Sequence, residues 1–155
     1  DPNVDFFIAY VGLQNEQKTY EKISSLAIPI DRLANLVHPT AIVPSGMTCL
    51  GSGVLLAPLS QLSPDTSLGD NCIMLANSFL GHDSSMDRFA HLATNAVVGA
   101  NVKVGRGVHI GSNSTIREKV SIGDFSLVGA GSVVLKSVSC NSVVVGNPAR
   151  ILEQR

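Results

Sequence analysis

The chain has 155 residues, is 45% hydrophobic and 15% charged, and carries a formal net charge of -1. That balance suits one main globular domain with a buried core and excludes a disordered chain. Its eleven Lys and Arg residues are scattered, without a basic run or interleaved aromatics, so no nucleic-acid partner is expected. No apolar run approaches the roughly 18 residues that span a bilayer, and the start, DPNVDFFIAY, has no basic region ahead of an apolar stretch. The expectation is a cytoplasmic protein with no membrane partner.

In chain order, the sequence opens at Asp1 rather than Met, directly before an apolar run, as a fragment of a longer protein would. Val4 to Val11 reads as a β-strand. A helix follows from Asn15-Glu16 to Leu26, with Asn15 as its N-cap and an acid in the first turn, and Pro29 ends it. Gly12 lies between that strand and helix, at the end of an α/β strand where nucleotide ligands usually sit, which makes it a candidate substrate-binding residue.

From position 50 to 134 a large aliphatic residue recurs at every sixth position. The series runs Leu50, Leu56, Leu62, Leu68, Met74, Leu80, Met86, Leu92, Val98, Val104, Ile110, Ile116, Ile122, Val128 and Val134. The next residue is often Gly, and the residue two before each aliphatic is small or Val, as at Ser60, Cys72, Ser84, Ala96 and Val108. A six-residue period fits neither an α-helix of about 3.6 residues per turn nor alternating strands joined by hairpins. It fits a parallel β-helix with one hexad per face, in which a large residue points in, the chain turns, and a small residue points in. Cys49, Cys72 and Cys140 are far apart and lack ligand spacing, so they read as reduced thiols and as small buried residues.

The repeat, together with DFFIAYVG, LVHPTA, GHDSSMDRFAHL and the terminal VVGNPAR, resembles the NeuD/PglD-type sugar acetyltransferases of the hexapeptide-repeat superfamily. These include sialic acid O-acetyltransferases and N-acetyltransferases of nucleotide-linked amino-sugars. The resemblance implies a mainly β fold: a left-handed parallel β-helix of three hexads per coil, preceded by part of a small α/β domain. The usual crossover rule alone would have favoured the right hand. The division it implies is 1–36 for the partial nucleotide-sugar-binding segment, 37–142 for the β-helix and 143–155 for the C-terminal cap. Members normally begin with a strand, a Gly-rich loop and an acidic pair that hold the nucleotide, and this sequence has neither the loop nor the pair.

The resemblance also implies acetyl-CoA as co-substrate, a sugar or nucleotide-sugar acceptor, a homotrimer and no metal. Its general base is the His of an H-[DE] pair, matched here by His82-Asp83. An imidazole that is neutral near pH 7 suits removal of a proton from an attacking amine or hydroxyl. Asp83 would stabilise the imidazolium that forms and fix its tautomer. His82 falls at a corner, two residues after inward Leu80, whereas His91 precedes inward Leu92 and projects from a different face, so within one chain the two cannot meet. A site that uses both lies between two prisms, and a closed three-fold ring gives three such clefts. In the family the second His lies near the acetyl end of the cofactor, here His91; the alternative is an interface hydrogen bond without chemistry. Gly99-Ala100, one coil beyond His82, matches the family's backbone donors to the thioester oxyanion. Gly111-Ser112 and Gly129-Ala130 match positions along the pantetheine arm, which makes His91, Ala100, Ser112 and Ala130 the candidate cofactor-binding residues. His109 should stack one coil above His91. The prism fold also includes γ-class carbonic anhydrases, but no two histidines here are five apart, as that metal set requires. His38, in VHPT, matches a structural junction motif. The competing readings are a non-catalytic β-helix scaffold and a metal-dependent hydratase of the γ-carbonic-anhydrase type.

Overall fold

The computed structural model describes residues 4–9 and 16–154. From Leu36 the chain winds into a left-handed parallel β-helix of about six turns. Each short strand pairs with the strand one coil away, which makes three sheets. We name them by their outward residues. The histidine face stacks Ile73, His91, His109 and Leu127, the valine face stacks Phe79, Val97, Thr115 and Val133, and the serine face stacks Ser67, Ser85, Lys103 and Ser121.

The hexads hold this register because their inward residues leave no freedom. Leu56, Leu62, Met74, Leu80, Met86, Leu92, Ile110, Ile116 and Ile122 are 2% exposed or less, and the small positions Cys72, Ala90 and Ala96 are fully buried. At several positions where the small residue is polar, its hydroxyl satisfies a corner carbonyl. Ser60 donates to the Ala57 oxygen at 2.8 Å, Ser78 to Leu75 at 2.6 Å and Ser114 to Gly129 at 2.9 Å. Buried hydroxyls therefore carry no unpaired polar group into the core.

Every corner also needs a residue of left-handed conformation. Positive φ recurs at every sixth position from Leu59 to Gly131, with values of 56° to 68°. Most of these positions hold Asn, Asp or Gly, the residues that tolerate it. The period ends where spacing changes: Ile42 bridges Gln61, nineteen residues on, and Leu127 pairs with Val143, sixteen on. Ser142–Val145 then receives the antiparallel strand Arg150–Gln154, which covers the edge of the histidine sheet.

The N-terminal part departs from the sequence reading. Among the described residues of the expected Val4 to Val11 strand, only Phe6 makes a bridge, in parallel to Leu33. Tyr10, Val11, Gly12 and the Asn15 cap lie outside the described residues. The helix runs Glu16–Ser24 and stops before Leu26, with Ala27 at φ 49°, while Pro29 precedes a short 3-10 turn, Ile30–Arg32. Cys72 is buried, and burial pushes its thiol up to about 12, but Cys49 and Cys140 are exposed. Position 49 points outward from its strand, and position 140 lies beyond the last regular hexad.

The helix docks on the corner between the serine and histidine faces. Tyr20 meets Phe89 and Phe125 edge-on, with ring centroids 5.1 and 5.8 Å apart, and the Arg106 guanidinium lies 5.7 Å from both the Tyr20 and Phe125 rings. Gly107, at φ 61°, sits between the two phenylalanines in the stack; a Cβ there would come within 2.7 Å of the Phe125 ring. Gly107→Val is therefore expected to cost roughly 1–3 kcal/mol and to speed amide exchange in Glu16–Ser24 while the inner hexads keep their protection. Unchanged exchange in the helix would show that this corner does not hold it.

Candidate active site

His82 is placed by the turn that Gly81 permits. A Cβ on Gly81 would lie 2.6 Å from the Gly99 carbonyl carbon and 2.7 Å from the Ala100 nitrogen, so only glycine lets the corner approach the next coil this closely. Asp83 follows at φ 57°, the left-handed corner position. Adjacent residues at a corner both point outward, and the Asp83 carboxylate lies 2.7 Å from His82 Nδ1. The side chains are 59% and 52% exposed. Behind them, Ser84 donates to the Gly99 carbonyl at 3.0 Å and accepts from the Val102 N–H at 3.0 Å, which ties this corner to the one above.

The corner amides form a second resource. At two other corners the N–H is taken by a carboxylate one coil further on: Ser52 donates to Asp70 at 2.9 Å and Arg106 to Asp124 at 3.0 Å. Above Ala100 stands Glu118, but its carboxylate is turned to Arg117, 3.4 Å away. Among the described residues the Ala100 N–H has no acceptor, so it can take an oxygen placed over the corner.

His91 and His109 form a separate group. They are in register on adjacent coils, with Nδ1 atoms 2.8 Å apart and ring centroids 4.5 Å apart. They project outward, as the sequence pattern requires, yet they are only 7% and 9% exposed. Burial holds His91 down to about 3, with the neighbouring His109 adding to the effect, and burial holds His109 down to about 4. His91 Nε2 is buried without a partner among the described residues.

The candidate residues thus divide into two sets. His82, Asp83 and Ala100 occupy the corner between the valine and serine faces. His91 lies on the histidine face, with Ser112 and Ala130 at the corner between the histidine and valine faces; the valine face separates the two sets. Within one chain there is no continuous groove through all of them. Gly12 lies outside the described residues. His38 closes a turn with Thr40, whose backbone N–H and hydroxyl lie 3.2 and 2.9 Å from its Nδ1. No group of three His, Cys, Asp or Glu side chains among the described residues is arranged to hold a metal ion. No described helix is long and apolar enough to cross a membrane.

The bacterial transferase hexapeptide (six repeats) family model matches residues 101–136. A mutant of GDP-perosamine N-acetyltransferase from Caulobacter crescentus, solved with CoA and GDP-perosamine, superimposes with a TM-score of 0.86 at 26% identity, over 97% of this chain and 70% of that one. The acetyltransferase domain of PglB from Neisseria gonorrhoeae gives 0.81 at 25% identity, over 96% and 70%. WeeI from Acinetobacter baumannii gives 0.79 at 26%, over 90% and 68%. No curated protein matches by sequence. A hexapeptide repeat beside acetyltransferase neighbours is consistent with the NeuD/PglD-type sugar acetyltransferases.

The reading of His109 as a coil neighbour of His91 holds, but the sequence does not reveal their burial. Outward direction follows from the hexad, whereas the exposure of an outward ring does not. The consequence for stability has a definite sign. Unfolded histidines protonate near pH 6.5, while the buried pair stays neutral to about 3 and 4. Between those values the unfolded chain binds more protons, so stability is fully present above the unfolded pKa and falls as pH falls. The expected slope is up to about 1.4 kcal/mol per pH unit for each ring. Denaturant melts across this range should show it, and the double variant His91→Phe, His109→Phe should flatten it; an unaltered slope would assign the acid sensitivity elsewhere.

Proposed function

We propose that this chain moves an acetyl group from acetyl-CoA to an amino or hydroxyl group of a sugar, with His82 as general base. The observation that carries the reading is the His82–Asp83 pair, 2.7 Å apart on an exposed corner, with His82 Nε2 unengaged and the free Ala100 N–H one coil above. The neighbours solved with CoA and GDP-perosamine support a nucleotide-linked acceptor. In the proposed reaction the acceptor attacks the thioester carbonyl and gives its proton to His82 Nε2. The oxyanion takes the Ala100 N–H, and the tetrahedral adduct expels the CoA sulfur, which recovers a proton from His82. Transfer is direct. Cys72, the buried thiol, is held protonated up to about 12 and is no nucleophile.

The active form is proposed to be a homotrimer in the cytoplasm. Phe79, Val97 and Val133 give the valine face three apolar residues beside Thr115, and Val97 is 39% exposed. Packing that face against another copy brings the His82 corner of one prism toward the histidine face of the next, with Ser112 and Ala130 along the cofactor and Gly12 on the acceptor side. We assign 1–36 to acceptor binding, 37–142 to the catalytic β-helix and 143–155 to the cap. Stoichiometric zinc with no thiol release from acetyl-CoA, over a panel of nucleotide-linked amino-sugars and sialic acids, would favour the hydratase instead.

His82→Ala is expected to lower kcat by roughly 10² to 10⁴ with little change in acetyl-CoA binding, the loss typical of a general base. Activity within a few-fold of the parent would remove His82 from the mechanism. Mixing inactive His82→Ala and His91→Ala subunits should restore activity, because a mixed cleft can take each histidine from the intact copy. Sedimentation of the chain as a monomer at assay concentration would refute the shared cleft.

A further inference from the structure

Two neutral imidazoles that meet through their Nδ1 atoms can hold only one proton between them. One ring then carries its hydrogen on Nδ1 and donates; the other accepts at Nδ1 and must carry its own hydrogen on Nε2. His91 and His109 are in this position at 2.8 Å, on adjacent coils whose register fixes both backbones. The rings differ in what lies beyond: His91 Nε2 is buried with no partner among the described residues. An unpaired polar atom in so dry a place is costly unless a ligand completes it.

Resting on the acetyl-transfer reading above, we infer that His109 is a positioning residue. It donates its Nδ1–H to His91 Nδ1 and so places the His91 proton on Nε2, where it serves as a donor to the acetyl oxygen of the cofactor. The opposite arrangement would present a nitrogen lone pair to that oxygen and repel it. Burial favours the neutral form of both rings, so His91 acts as a hydrogen-bond donor and not as a second base. The proton on Nε2 is not transferred; it strengthens its hydrogen bond as negative charge develops on the oxygen. His82 remains the only proton acceptor in the reaction.

Side-chain 15N–1H correlation spectra of the histidine-labelled chain, free and with acetyl-CoA, test this directly. The expected result is His91 protonated at Nε2 and His109 at Nδ1 in both; the reverse arrangement, or a mixture with acetyl-CoA bound, overturns the inference. In kinetics, His109→Phe should lower kcat roughly tenfold or more, with KM for acetyl-CoA within about threefold, since the lost term acts on the oxyanion. His109→Gln, whose amide N–H can donate to Nδ1, should recover most of that loss. Full kcat in His109→Phe would end the positioning role. If no sugar is acetylated at all, the acetyl-transfer reading fails by itself, while the spectra of the free chain still decide which ring donates.

Discussion

The corner residue of left-handed conformation is the constraint on which the rest depends. A chain that must turn every six residues and return to register after eighteen needs the same backbone geometry at each corner, and positive φ recurs without a gap from position 59 to 131. Asn, Asp and Gly supply it cheaply. Leu59, Phe89, Lys119 and Phe125 do not, and for such residues the conformation costs about 1–2 kcal/mol each. At Phe89 and Phe125 the strain has a visible return: the two rings clasp Tyr20 and bind the helix to the prism. The same rule places Asp83. A carboxylate suits that turn as a conformational element, and the residue before it is bound to point outward beside it. The fold's own turn chemistry thus provides the partner of His82.

Three faces with one backbone differ only in what they show to the outside. The serine face is polar, the valine face mixes Phe79, Val97 and Val133 with Thr115, and the centre of the histidine face, at His91 and His109, is withdrawn from solvent. Because all inward positions are committed to the core, chemistry can be placed only on outward side chains and corner amides. Residues eighteen apart are neighbours; residues nine apart, such as His82 and His91, are on different sides of the prism. A reaction that needs both has to recruit a second copy, and this follows from the winding alone.

What could be read in the sequence is what the winding fixes locally. Inward Leu80, Met86 and Leu92 reveal the period, and with it the positions of His82 at a corner and His91 above Ile73 and below His109. The corner conformation was legible too, as Asp65, Asn71, Asn77, Asp83, Asn95, Asn101 and Asn113 at six-residue spacing, but the aliphatic series masks it. Features set by distant chain were not legible. The burial of His91 and His109 and the single described bridge at Phe6 have no signature in the hexad pattern, and the exposure of Cys140 follows from the shortened last coil.

The two histidine environments are opposite, and the difference follows from their places in the repeat. His82, at a corner, is exposed to water beside the Asp83 carboxylate, so solvent can reach its ring. His91, on a covered flat face, meets another imidazole in a dry contact, where a second charge would have no partner and no solvent. One ring is therefore suited to change its protonation during a reaction and the other to keep it. A single scaffold gives the same residue type two opposite environments because corners and faces differ in their access to water.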